Sequence, residues 1–443
     1  MRLRMLALSA GLVLLGLAVP ALAEETYSNN FVTLENYASS AEAAVAPESG
    51  GSPYSGPLCS RPNLTGNWFG YRDALACHGL TFYGDLTQYY QGVASGGNEQ
   101  EFVYGWRGDY LLDIDFGKLA GWQGLTLDLR GESRLGQDTT SIDGTLSPTN
   151  IGLLFPYPNS DNTGLTGVQL TQVVSENLVA FGGKINIFDG TPATYNQNVR
   201  LGKFWNAALA FDLAAIFIPP STLGAGFVTL KEHEPSLTFM VLDTHYTPTT
   251  SGFETAFDNG VLMYGEYAIK TNFLERPGHS AFGFVYSNAE RLSLEPNWWV
   301  DLPAPGGALP TESNTWTLMY RCDQVIYADS CDPKRNWVLL GQIGLSDGNP
   351  NPIEFFFSTA LMGNGPFRSR PGDTVGLGYY HIGVTDAGPL NTLGFNAEDG
   401  LELYYNIAVT PWFHLTPDLQ VIDPANSANE TALLLGLRGR NTF

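Results

Sequence analysis

Charge is scarce in this chain. Only 15% of its residues are Asp, Glu, Lys or Arg, and the acidic ones outnumber the basic ones 44 to 22, a formal charge of −22. So few cations do not suit a nucleic-acid partner, whose backbone is bound through Lys and Arg. Long apolar runs are also missing. One shorter run, Leu6 to Val19, follows Arg2 and Arg4 and precedes Pro20 and Ala21-Leu22-Ala23. It is short for a helical span. Its charged start and small-x-small end mark residues 1–23 as an export signal, cut before Glu24. Any membrane insertion of the mature chain must then use strands. Cysteine is limited to Cys59, Cys77, Cys322 and Cys331. Export permits disulfides, and four cysteines allow three connectivities. Local pairing, Cys59–Cys77 and Cys322–Cys331, is the most economical, since each bridge closes one loop.

Catalytic and cofactor signatures are equally thin. The histidines His78, His233, His245, His279, His381 and His414 show no H-E-x-x-H or other metal-ligand spacing. Glu232-His233-Glu234 reads as a charged turn before Pro235, and the glycines are scattered singly instead of forming a phosphate loop. Gly344-Leu345-Ser346-Asp347-Gly348 matches G-x-S-x-G, but Asn349-Pro350-Asn351-Pro352 follows it. A nucleophile elbow needs a helix there, so Asp347-Gly348 reads as a hairpin turn. No enzyme, metal or cofactor is expected.

What is plentiful is glycine, with 50 residues, and aromatics, at 12%. That mixture serves twisted strands, tight turns and interfacial rings. Residues 24–58 are rich in Ala, Ser, Gly, Pro and Glu without periodicity and read as a flexible periplasmic arm. The body, 59–443, begins with a short helix over Trp68, Arg72 and Leu75, which Asn67 can cap and Gly79 can end. From Thr81 onward strand follows strand. Leu125, Leu127 and Leu129 alternate with Thr126, Asp128, Arg130, Glu132 and Arg134; Ile185 and Ile187 alternate with Lys184 and Asn186. Near the end, Glu402, Tyr404, Asn406 and Thr410 share one side of an extended chain, and Leu403, Tyr405, Ile407 and Val409 the other. Leu433, Leu435 and Leu437 lead in phase to a terminal Phe443. Apolar-out, polar-in alternation with unequal connections describes a transmembrane antiparallel β-barrel.

The run from Glu402 through Trp412 to Gln420 resembles the penultimate strands of carbohydrate-selective porins of the OprB family, whose chains also end in Phe. Trp68, Gly70, Arg72, Leu75 and Gly79 fill that family's opening pattern, with Cys77 a local addition. Gly183-Lys184-Ile185-Asn186-Ile187-Phe188-Asp189, Phe204-Trp205-Asn206-Ala207-Ala208, Pro219 to Gly224 and Arg370 to Tyr380 also fit, so the resemblance covers about residues 64–443. It implies a sixteen-stranded outer-membrane barrel whose first helix is periplasmic. It further implies passive diffusion of neutral mono- and small oligosaccharides, and a C-terminal Phe443 read by the β-barrel assembly machinery. Outer-membrane lipid and lipopolysaccharide would surround the barrel, and a second copy of the chain, in a homo-oligomer, would be a further partner.

Lumen residues follow from the cost of charge in lipid, about 2–4 kcal/mol at the midplane. Asp128, Arg130, Glu132 and Arg134, with Lys184 and Asn186, must therefore line the solute path, as should Asp113 and Asp115. As a constriction of alternating sign they would meet sugar hydroxyls; as mutual ion pairs they would only brace the wall. Trp298, Trp299 and Trp412 could stack on sugars or form an interfacial girdle. A general diffusion porin with ion preference remains an alternative. So does a secreted all-β protein that binds or cleaves sugars.

Overall fold

In the computed structural model, residues 52–188, 203–232, 234–295, 309–388, 390 and 393–443 are described. The export signal and most of the 24–58 arm lie outside them, as do His233, Trp298 and Trp299. Sixteen antiparallel strands close into one barrel. They are β1 (Leu80–Ser95), β2 (Phe102–Asp115), β3 (Leu125–Gly136), β4 (Asn162–Ser175), β5 (Leu178–Asn186), β6 (Ser221–Lys231), β7 (Glu234–Asp243) and β8 (Val261–Phe273), then β9 (Arg276–Ser287), β10 (Thr315–Ala328), β11 (Asn336–Ser346), β12 (Ile353–Asn364), β13 (Thr374–Val384), β14 (Ala397–Thr410), β15 (Phe413–Asp423) and β16 (Ala432–Thr442). Each pairs with its neighbours in sequence, and β1 pairs with β16 from Asp85 opposite Thr442 to Ser95 opposite Leu433. Closure leaves no strand edge, the only way a sheet can sit in lipid.

Period-two alternation assigns the two faces. On β14, Glu398, Glu402 and Tyr404 are buried inside while Leu401 and Leu403 are exposed outside, where Leu403 stands between Leu377 and Leu419. Turns at one rim are short, as at 176–177, 274–275 and 411–412. At the other rim the connections at 137–161 and 244–260 are long, and this is the extracellular side. The apolar core is unusual in its place. It lies within the barrel, where Phe204, Leu209 and Leu213 of an inward loop meet Phe356, Tyr380, Ile382 and Tyr404 of the wall.

The first helix, α1, spans Tyr71–Cys77 and is entered through Gly70, not directly from Asn67. Asn67 still holds its start, because Asn67 Oδ1 accepts from the Asp73 amide at 3.1 Å. Gly79 ends it at φ +85°, where a Cβ would come within 2.5 Å of the Asp115 carbonyl. Asp115 does not line the lumen as expected. It caps the short helix α2 (Phe116–Ala120), accepting from Gly117 N at 2.8 Å.

The two disulfides are a correction, since all four cysteines are free. Cys322 sits within β10, opposite Gly341 and Ser280. The strand continues from it to Ala328, roughly 20 Å further at about 3.3 Å per residue. Cys331 lies in the turn beyond, and three residues reach back only about 10 Å, leaving more than the ~7 Å that a bridge tolerates. Cys59 and Cys77 are both exposed and separately anchored: the Leu58 carbonyl is tied to Trp412, and Cys77 ends α1.

The wall itself yields a test. Leu403→Arg places a charge on the lipid face at a cost of about 2–4 kcal/mol if near the midplane. The heat-modifiable assembled fraction on gels should fall, whereas Leu403→Ile should leave it unchanged.

Candidate functional site: a strapped lumen

Strand register stacks the lumen charges of β16, β1, β2 and β3 in rows. Arg440 stands opposite Thr87, Thr87 opposite Arg107, and Arg107 opposite Arg134. One row nearer the periplasm, Thr442, Asp85, Asp109 and Glu132 are aligned in the same way. A basic row therefore lies on an acidic row, and Arg130 lies beneath the acidic one. Arg107 donates to Asp109 at 2.8 Å and to Glu132, and Arg130 donates to both carboxylates at 2.9 Å. These two cations and two anions balance, and all four are buried.

Two loops enter the lumen and are held by side chains that meet their backbone groups. The Glu402 carboxylate accepts from Trp205 N at 2.6 Å and Asn206 N at 2.9 Å. Two pleat repeats away, Glu398 accepts from Ser147 N at 2.9 Å, from Leu146 N, and from the Tyr380 hydroxyl at 3.1 Å. Gln420 donates to the Thr149 carbonyl at 2.9 Å. Across the lumen, Arg134 donates to the Leu153 carbonyl at 2.8 Å, and Arg107 to Gly152 at 3.4 Å. Residues 146–153 thus form a strap whose amides are fixed at β14 and whose carbonyls are fixed at β15, β2 and β3.

The second segment, 203–220, lines the opposite wall. It joins the strap through Ile151 N to Trp205 O at 2.8 Å and Ala207 N to Pro148 O at 2.9 Å. Arg438 donates to the Lys203 carbonyl at 3.2 Å and lies 5.1 Å from the Trp205 ring centroid. Trp205 packs over Gly436, where a Cβ would approach the indole to 2.4 Å, so only glycine permits that approach. A short helix, α3 (Ala207–Ala210), carries Leu209 to the wall. The Ala214 carbonyl then accepts from Thr317 at 3.0 Å and Asn351 at 2.7 Å. Asp212 Oδ1 caps this stretch, accepting from Ala214 N at 2.9 Å, and burial pushes its carboxyl up to about 7.

Of the six residues singled out from sequence, Arg130 and Glu132 meet in the balanced cluster, and their unanticipated partners are Arg107 and Asp109. Asp128 stands one pleat lower, opposite Asp113 and Gln169. Arg134 turns to the strap and to Asp138, at 2.6 Å. Lys184 is separate from the cluster and donates to the carbonyls of Leu165 at 2.6 Å and Thr250 at 2.7 Å. Asn186 donates to Thr166 at 3.2 Å. Ser346 ties together the ends of its own loop, donating to Ile353 O at 2.8 Å and accepting from Gly348 N at 3.2 Å. Trp412 lies at the short-turn rim and not in the lumen, and its indole donates to Leu58 O at 2.7 Å.

A closed sixteen-stranded wall with loops strapped across it is porin architecture, and the sequence profile of the carbohydrate-selective porin, OprB family, matches residues 99–443. The chain belongs to that family. As an OprB-family porin it is a multi-pass barrel of the Gram-negative outer membrane. Porin B of Pseudomonas aeruginosa is 26% identical over 193 residues, and the match covers 38% of this chain and 41% of that protein. The chain thus spans about two-fifths of the length of the curated relative it matches. The high-pH structure of Pseudomonas putida OprB superposes with a TM-score of 0.76 at 19% identity, covering 88% of this chain and all of that one. The low-pH structure of the same protein gives 0.56 at 18% identity. At these identities the structures attest the fold alone.

Two measurements follow for this porin. Glu402→Ala leaves two buried amides without an acceptor, at about 1–3 kcal/mol each, so the 203–220 loop should unseat. Single-channel conductance and noise should both rise, with Glu402→Gln falling between Ala and wild type. For Asp212, the seated loop favours the protonated carboxyl. Seating is therefore firmest below the ordinary carboxylate range and weakens as pH rises through about 7. Conductance noise should grow across that interval in the wild type and become flat in Asp212→Asn.

Proposed function

We propose that this porin passes neutral mono- and small oligosaccharides into the periplasm by passive diffusion, without catalysis or energy coupling. The observation that carries the reading is the stack of oppositely charged rows beside the strap. Such rows make the wall beside the path polar, while their charges, buried and paired with one another, present little net field to simple ions. Binding would be transient, which conduction requires. Asp128, Arg130, Glu132 and Arg134 line this path in our reading, and Lys184 and Asn186 steady the loops beside it. Residues 1–23 would direct export, and Phe443 would be read by the assembly machinery.

Sugar block in planar bilayers tests the proposal. Mono- and disaccharides should reduce single-channel conductance reversibly, and ion preference should be weak. Arg130→Ala should weaken that block by about 1–3 kcal/mol, the value of a charged hydrogen bond, and should raise cation preference as the carboxylates lose a partner. Pronounced ion selectivity without sugar block would favour a general diffusion porin. An Arg130→Ala channel with wild-type block and ion preference would make the cluster a brace only.

A further inference from the structure

The segment before β1 lies on the outside of the wall at the short-turn rim. The Trp68 ring packs 5.9 Å from that of Phe82, which stands opposite Leu112 on the lipid face. Arg72, buried beneath α1, donates to the Phe82 carbonyl at 2.8 Å and to the terminal Phe443 carbonyl at 3.0 Å. Asn63 donates to the same Phe443 oxygen at 3.1 Å, and Leu64 N donates to Thr442 O at 2.8 Å. The segment is therefore clamped across the β1–β16 seam.

Its outward surface is apolar and uncharged. Phe69 is fully exposed, and Tyr71, Ala74, Leu75 and Cys77 are exposed beside it. The charged residues of the same stretch turn inward: Arg72 to the seam, and Asp73 to Asn67 at 2.6 Å and Ser52 at 2.8 Å. The backbone is also forced. Trp68 and Phe69 hold φ of +49° and +58°, left-handed conformations that bulky residues rarely adopt. Strain that presents a bare phenyl ring to water has no return; at the edge of a lipid-facing belt it does. Aromatic rings with apolar bodies concentrate at that depth.

We infer that Phe69, Tyr71 and Leu75 insert into the headgroup region of the periplasmic phospholipid leaflet, anchoring the pre-barrel segment beside the seam that Arg72 clamps. The occupant is phospholipid because the surface is continuous with the lipid-facing wall through Trp68 and Phe82. It carries none of the Lys or Arg that an anionic peptide or glycan would demand.

Photo-crosslinking of the full-length porin in phosphatidylethanolamine–phosphatidylglycerol vesicles tests this. Phe69→p-benzoylphenylalanine and, separately, Tyr71→p-benzoylphenylalanine would be irradiated, and the adducts weighed by mass spectrometry. Tyr90→p-benzoylphenylalanine on the outer wall and Phe253→p-benzoylphenylalanine on the long-loop rim serve as lipid and water references. Channel conductance certifies that each variant is folded. Phospholipid adducts at Phe69 and Tyr71 comparable to those at Tyr90, with none at Phe253, are expected. Adducts to a second copy of the chain would overturn the inference, as would no adduct at Phe69 and Tyr71 while Tyr90 reacts.

Discussion

Backbone pairing is the constraint on which this structure rests. In the bilayer, unpaired amides and carbonyls cost several kcal/mol each, so the sheet must close, and β1 must find β16. The same constraint reaches into the lumen. Loops that narrow the channel bring their own unpaired backbone groups, and wall side chains must replace the water these groups lose. Glu398 and Glu402 do so for amides, and Gln420, Arg134 and Arg107 for carbonyls. Glu398, Glu402 and Arg134 thus serve first as backbone partners, buried beneath the loops they hold.

That ordering explains which parts could be read from sequence. The barrel was legible because alternation is local: Leu403 and Glu402 are neighbours, and burial of one face dictates exposure of the other. The sign alternation of Arg130, Glu132 and Arg134 was legible for the same reason. Partner choice was not. Asn206 and Glu402 are 196 residues apart, and nothing in either neighbourhood announces the contact. The Phe204-Trp205-Asn206 motif marked a place of interest without saying that it enters the lumen. Arg107 and Asp109 were missed although they alternate on β2 as Arg130 and Glu132 do on β3, a signal a pairwise reading of adjacent strands could have used. The Cys322–Cys331 pairing failed for a geometric reason, because closeness in sequence is distance in space along an extended strand.

Register converts one-dimensional charge patterns into two-dimensional ones. Antiparallel pairing sets Arg107 against Arg134 and Asp109 against Glu132, so like charges align along a row and opposite charges meet between rows. Repulsion within a row is offset by the contacts across it, which the 2.8–2.9 Å pairs of Arg107 and Arg130 embody. Slipping β3 by one residue would turn Arg130, Glu132 and Arg134 to lipid. The cluster therefore opposes misregistration as strongly as the apolar outer face does, even if its net contribution to stability is small.

The strap makes the two sides of the lumen mechanically dependent. Residues 146–153 are fixed at one end by β14 and at the other by β2 and β3, and their middle is paired with Trp205 and Ala207. Neither loop can move alone without exposing the other's backbone. A strap held in this way keeps its position against thermal motion better than a free loop of similar length would. In the function we propose, solute discrimination would depend on groups at fixed positions along the wall, and weak binding would let the solute be released.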